Sequence, residues 1–170
     1  MSADRSPRLR PATPDDVPRL KELGVHGWET TYHEFVSPEN RARYLAGPFW
    51  SLDRLRDIVN DPACLALVAE DTAGYAGGFL TIEPVDDSVV ELTRLYVDPN
   101  SRGGGIGAAL VAAGLKWSRE RGAGSMLVNV FADNHGGRRF YERAGFTLTR
   151  LEPFTIGDQI VGDAWYERGM

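Results

Sequence analysis

The stretch "ELTRLYVDPNSRGGGIGAALV", residues 91–111, constrains the fold more than any other part of the chain. An apolar run stops at Asp98-Pro99, a basic glycine knot spans Arg102 to Gly107, and small residues at helical spacing follow. Glycine tolerates φ > 0 and carries no Cβ, so successive N–H groups of such a knot can turn toward one anion. The dipole of the helix beyond it adds to the attraction. A flexible linker has no reason to lie between a β-branched strand and a helix. Arg102, Gly103, Gly104, Gly105, Ile106 and Gly107 therefore read as a cradle for a phosphate or pyrophosphate.

Two familiar phosphate folds fail on context. Gly103, Gly105 and Ala108 match the spacing G-x-G-x-x-A, and Asp133 ends the next strand, as in a dinucleotide fold. There, however, the glycines begin as the strand ends, whereas Asp98 to Arg102 intervenes here, and one parallel strand-helix-strand unit follows. A P-loop needs Gly-Lys-Ser/Thr, and Gly107 is followed by Ala108-Ala109.

The surrounding pattern predicts a mixed α/β (α+β) chain. Arg8 to Arg10 reads as a short strand. Thr13 with Pro14-Asp15-Asp16 starts a helix that Gly24 and Gly27 are expected to interrupt, with apolar spacing resuming through Trp28, Thr31, Tyr32 and Phe35. Further helices are expected from Ser37 to Leu45 and from Ser51 to Asn60, the latter with Leu52, Leu55 and Val59 inward. Cys64 to Glu70 and Tyr75 to Ile82 read as a hairpin around Asp71 to Gly74, and Ser88 to Val97 as the next strand. Then come a helix over Gly105 to Arg121, a strand over Ser125 to Phe131 and a helix over Asn134 to Ala144. Strands at Phe146 to Arg150 and Asp163 to Arg168 close the chain.

With 170 residues, 42% of them apolar, one domain over 1–170 is expected. A net charge of −5 with dispersed arginines argues against nucleic acid and suits a cationic partner. The start shows no apolar signal region and no later run spans a bilayer, so no membrane partner and a cytoplasmic location are expected. The lone Cys64, set among apolar neighbours, reads as a buried strand residue, and His26, His33 and His135 show no metal spacing, so no metal is expected.

Arg102-x-x-Gly105-x-Gly107, preceded by Leu95-Tyr96-Val97-Asp98-Pro99, resembles the acyl-CoA signature of the GNAT N-acetyltransferase superfamily. Downstream, Asn134 to Phe146 resembles that family's N-x-x-A-x-x-F-Y-x-x-x-G-F segment, with Gly137 in place of alanine, a change that weakens a helix by about 1 kcal/mol. The resemblance implies a mostly antiparallel central sheet, helices on both faces and a parallel strand-helix-strand site for acetyl-CoA as co-substrate. It implies that backbone groups of Leu95, Tyr96 and Val97 pair with the pantetheine arm like an added strand, while Arg102 to Ala108 cradle the pyrophosphate. Asn134 would contact pantetheine while capping its helix. The same resemblance assigns Glu91, eleven positions ahead of Arg102, as the base that deprotonates an amine directly or through water. It assigns Tyr141 as the acid that protonates the departing thiolate. An amine of pKa ~10 is almost fully protonated at neutral pH, so a base or proton wire is needed.

For the acceptor, Trp28 and Tyr32 stand four apart on one helix face, and Glu34 lies nearby, with Glu29, Glu83, Asp86 and Asp87 in segments that line the acceptor groove of the resembled fold. The same residues also suit core aromatics and a solvated acidic surface. Trp28 to Tyr32, Tyr44-Leu45, Phe154 to Gln159 and Asp163 are similar to the bacterial spermidine/spermine N-acetyltransferase branch. The resemblance thus implies acetylation of a small primary amine such as a polyamine, and it allows a homodimer through the C-terminal strands. The alternatives are acetylation of protein N-termini or lysines, and a non-catalytic acyl-CoA sensor. Members that modify ribosomal protein N-termini often carry Glu five positions before the motif asparagine, where this chain has Asn129.

Overall fold

The computed structural model describes residues 6–71 and 73–170. Thr72, part of the expected turn at Asp71 to Gly74, and the first five residues lie outside that set. Seven strands form a single sheet: β1 (Arg8–Pro11), β2 (Leu65–Glu70), β3 (Ala76–Pro84), β4 (Val89–Val97), β5 (Ser125–Phe131), β6 (Thr147–Ile156) and β7 (Gln159–Gly169). Their spatial order is β1-β2-β3-β4-β5-β7-β6. Every neighbouring pair is antiparallel except β4 and β5, which run parallel. The expected mixed α/β architecture is thus the one found.

Five helices cover the two faces. α1 (Val17–Thr31), α2 (Pro38–Leu45) and α3 (Leu52–Asn60) pack on one, burying Leu20, Trp28, Leu45 and Leu55 with Phe79 and Phe131 of the sheet. α4 (Ile106–Glu120) and α5 (His135–Arg143) contribute Leu110, Leu115 and Tyr141 to the opposite core, with Leu80, Leu92, Val128 and Tyr166. Alternation along each strand feeds both cores, since neighbours such as Phe79 and Leu80 point to opposite faces. Short polar side chains start the helices by accepting first-turn N–H groups. Ser37 accepts from Asn40, Ser51 from Arg54 and Asn134 from Gly137, at 3.0–3.2 Å. At Thr13 the backbone N–H donates to Asp16 at 2.8 Å, and Pro14 to Asp16 form a 3-10 turn ahead of α1.

Several expectations need correction. α1 runs unbroken through Gly24 and Gly27. These glycines serve close packing: a Cβ on Gly24 would lie 2.1 Å from Cζ3 of Trp50, and one on Gly27 2.4 Å from Cδ1 of Tyr96. In α3 the inward residues are Leu55, Ile58 and, half-buried, Val59, while Leu52 is 44% exposed. Cys64 precedes β2 and is half-buried, its thiol pushed up to about 11 by burial and by Asp61. The two closing strands are longer than expected and form a hairpin from Thr147 to Gly169. β6 is an edge strand exposed over most of its length, so its side chains lack the apolar alternation by which strands are recognised. Among the described residues no helix is long and apolar enough to cross a membrane.

The contact at Gly24 generates a test in which local and tertiary preferences disagree. Alanine favours the helix by about 1 kcal/mol, yet its methyl collides with the fully buried Trp50 ring. Overpacking of this kind costs about 1–3 kcal/mol or more. Gly24→Ala is expected to lower the melting temperature; an unchanged or raised value would show that Trp50 moves aside freely.

Candidate active site

The site begins where strand pairing stops. β4 and β5 pair over Val89 with Ser125, Val90 with Met126 and Glu91 with Leu127, then diverge. Beyond Glu91 the β4 edge facing β5 has no strand partner, so its backbone N–H and C=O groups stand open to a ligand. The gap widens into a cleft of about 670 Å³ walled by Leu92 to Val97 of β4, Val128 to Val130 of β5, the knot, and Asn134, Phe140 and Tyr141.

A bulge at Thr93 decides which β4 side chains face where. Thr81 of β3 stands opposite Arg94 and Ile82 opposite Leu92, leaving Thr93 as the extra residue. Leu92 and Leu95 therefore join the α4 core although three positions apart, and Tyr96 joins the α1 core. The Tyr96 hydroxyl accepts from Trp28 Nε1 at 3.0 Å. Arg94 is fully buried, stacks over Phe49 at 3.8 Å and donates to Glu83 at 3.2 Å and to the Phe49 carbonyl at 2.5 Å. Arg54 pairs with the other Glu83 oxygen. Burial pushes the Arg94 guanidinium down to about 10, which leaves it charged at neutral pH.

After β4, Asp98 caps a 3-10 turn by accepting from the Asn100 N–H at 2.9 Å, and Arg19 of α1 donates to it at 3.0 Å. These bonds hold the Asp98 carboxyl below the usual range and fix the base of the knot. Gly103 and Gly105 adopt φ of +84° and +74°, and Gly105 caps α4. Arg102 and the three glycines after it are exposed. Turned backbone N–H groups, a helix N-terminus and an exposed cation together form an anion site of the kind that holds a pyrophosphate.

Of the expected cofactor residues, Leu95, Tyr96, Val97, Arg102, Gly103, Gly105, Ile106, Gly107, Ala108 and Asn134 line the cleft; Gly104 sits in the knot but is not on its wall. A Cβ on Gly137 would come within 2.7 Å of Asn134 Nδ2, so the departure from alanine leaves the capping side chain its room. Tyr141 is 8% exposed and lines the cleft. Burial raises its phenol well above the usual range and so keeps it protonated. Glu91 is absent from the cleft wall and occupies the last paired position at its narrow end. Burial raises its carboxyl, the Asp163 charge raises it further, and Arg94 and Arg150 oppose.

The acceptor-side residues separate. Tyr32 lines the cleft, edge-on to Phe131 at 5.1 Å. Trp28 lies behind it, 4% exposed and stacked on Tyr44 at 4.5 Å, and is a core residue. Glu34 is exposed on the turn after α1, away from the cleft wall. Glu29 pairs with Arg41, Glu83 with Arg94, and Asp86 caps the β3–β4 turn, so these acids hold the scaffold. Sequence reasoning gave no site role to Asp163, which is 3% exposed and accepts from Asn129 Nδ2 at 3.0 and 3.2 Å. The signal was its register: it is spaced two from the buried Val161, an acid at an inward strand position.

The diverging parallel strand pair, the glycine knot and the buried Tyr141 meet at one cleft, in a chain with recognisable relatives. The sequence profile of the Acetyltransferase (GNAT) family matches residues 28–146, and the chain belongs to that family. An uncharacterised N-acetyltransferase of Mycobacterium bovis is 30% identical over 142 residues, 84% of this chain and 90% of that one. A mycothiol acetyltransferase of Clavibacter sepedonicus is 40% identical over 94 residues, 55% of this chain but 30% of the relative's length. The PaiA N-acetyltransferase of Thermoplasma acidophilum, solved with coenzyme A, superposes with a TM-score of 0.83 over 97% of this chain and 99% of its own, at 23% identity.

Gly105→Ala tests the cradle. A left-handed conformation at a residue with a Cβ costs about 1–2 kcal/mol, which the knot relieves by changing shape. We expect acetyl-CoA affinity to weaken by about tenfold in calorimetry; an unchanged dissociation constant would remove the knot from the binding site.

Proposed function

We propose that the protein transfers the acetyl group of acetyl-CoA to a primary amine of a small molecule, within a ternary complex. The observation that carries this reading is the single cleft in which an unpaired β4 edge, a glycine cradle and the buried Tyr141 meet, with the half-buried Glu91 at its narrow end. Bound acetyl-CoA would supply a thioester carbonyl already activated for attack. Arg102 to Ala108 would hold its pyrophosphate, and the free edge of Leu95 to Val97 would pair with the pantetheine amides.

The chain's own groups then manage the protons. The nitrogen–carbon bond forms as the carbon–sulfur bond breaks. Glu91, directly or through water, takes the amine proton, and Tyr141 gives its proton to the departing sulfur. Desolvation suits both tasks, because it makes Glu91 a stronger base than an exposed carboxylate and keeps Tyr141 protonated until a thiolate appears.

On the acceptor side, the ring of Tyr32 on the cleft wall and the Glu91 carboxyl at the narrow end support an alkyl ammonium. Spermidine and spermine fit that chemistry. The identity to a mycothiol acetyltransferase over 94 residues supports a mycothiol-type acceptor as the second reading. Asn129, in place of a glutamate, disfavours protein N-termini. The exposed Leu151 and Ile160 on the β6–β7 hairpin support the homodimer contact.

Thiol release from acetyl-CoA, with product masses, against spermidine, spermine, deacetylated mycothiol and an alanine-terminated peptide tests the reading. Turnover is expected with a small amine, and exclusive turnover of the peptide would overturn it. Tyr141→Phe is expected to lower kcat by about a hundredfold or more with acetyl-CoA affinity kept; wild-type turnover would remove Tyr141 as the acid. In the wild type the acid limb of kcat/KM should lie above the ordinary glutamate value of about 4.3, because the raised Glu91 carboxyl must lose its proton to act. Glu91→Gln should move the profile upward toward the amine's own pKa, and an unshifted profile would assign the base elsewhere.

A further inference from the structure

Asn129 and Asp163 form a polar pair that the proton transfers above do not use. Asn129 is exposed on β5 and lines the cleft, whereas Asp163 is 3% exposed on β7. Both carboxylate oxygens of Asp163 accept from Asn129 Nδ2, at 3.0 and 3.2 Å, and Asn129 Oδ1 has no hydrogen-bond partner among the described residues. While Asp163 is ionised it accepts and does not donate, so the NH2 end of the amide faces it, as the two contacts show; the reversed amide would set acceptor against acceptor. Burial deprives Asp163 of water that could otherwise satisfy it. This orientation leaves the carbonyl oxygen as the free end of a cleft-lining side chain.

Register places Asn129 on the same sheet face as the base. Glu91 stands opposite Leu127, and Asn129 lies two residues further along β5, about 7 Å into the diverging region. Alternation puts Leu127 and Asn129 on one face of the strand. We propose that Asn129 Oδ1 accepts a hydrogen bond from the acceptor amine, so that Asn129 is a specificity-determining residue and Asp163 the positioning residue that turns its amide. The inference rests on the acetyl-transfer reading. An amine offers N–H donors whether or not it is protonated, so this contact holds the nitrogen before and after Glu91 takes a proton. An acceptor whose nucleophile carries one hydrogen or none, such as a thiol or a tertiary amine, would satisfy it less well.

The test is steady-state kinetics on Asn129→Leu, of similar size without the oxygen, and on Asp163→Asn, whose neutral amide can present either end to Asn129. The acceptor is whichever of spermidine, spermine and deacetylated mycothiol the wild type turns over best; acetyl-CoA affinity is followed by calorimetry and folding by melting temperature. Asn129→Leu is expected to raise the acceptor KM by about tenfold, with the loss in kcat/KM carried by KM and acetyl-CoA affinity kept. Asp163→Asn should raise KM less. An unchanged acceptor KM in folded Asn129→Leu would overturn the inference while leaving the acetyltransferase intact, and this variant decides the matter if Asp163→Asn fails to fold. A wild type that binds acetyl-CoA yet turns over none of these amines would overturn the reading beneath it, and the inference with it.

Discussion

Three residue pairs of parallel pairing, Val89 to Glu91 against Ser125 to Leu127, set the geometry of the rest. A parallel ladder that continued would leave no cleft, and one that never formed would leave β4 and β5 unregistered. The short contact fixes both strands at one end and frees them at the other. Side chains on both faces keep the free ends apart. The α4 core is anchored by Leu92 and Leu95, while the α1 core is anchored by Tyr96 against Trp28 and by Arg94 against Phe49 and Glu83. Separation of the strands is thus stabilised by packing on each side.

The two cores carry different parts of the chemistry. The α4 and α5 side is closely packed, carries the cradle at the start of α4 and buries Tyr141. The α1 to α3 side is aromatic and contains the desolvated ionic groups Arg94, Glu83 and Asp163. Tyr141 and Glu91 therefore sit in separately built environments, one raising a phenol and the other a carboxylate. Raising a carboxyl in the folded state disfavours its ionised form, so this arrangement lowers stability above that pKa.

The cofactor half of the site was legible in the sequence because it is written in local terms. Glycines at fixed offsets, a strand before them, a helix after them and an asparagine cap are all features of contiguous residues. The acceptor half depends on contacts between residues far apart. Arg94 would share a face with Leu92 by strict alternation, and only the bulge at Thr93 turns it toward Phe49. Trp28 and Tyr32 look alike on a helix, yet Tyr44 and Tyr96 cover the first while the second remains on the cleft wall. Asn129 and Asp163 are 34 positions apart and meet only because β7 inserts between β5 and β6. Gly24 and Gly27 carry a helix-breaking signal locally, and Trp50 and Tyr96 supply the reason they are there.

The open edge of β4 has one more consequence. At Leu95 and Tyr96 the side chains are turned into the two cores, which leaves main-chain atoms along the open edge. Substitutions there act on packing, since every residue other than proline offers the same N–H and C=O. Recognition of the shared acyl donor is thereby insulated from most sequence drift, and the walls contributed by α1, β5 and β7 are free to diverge. A scaffold divided in this way can change what it acetylates while keeping its acyl donor.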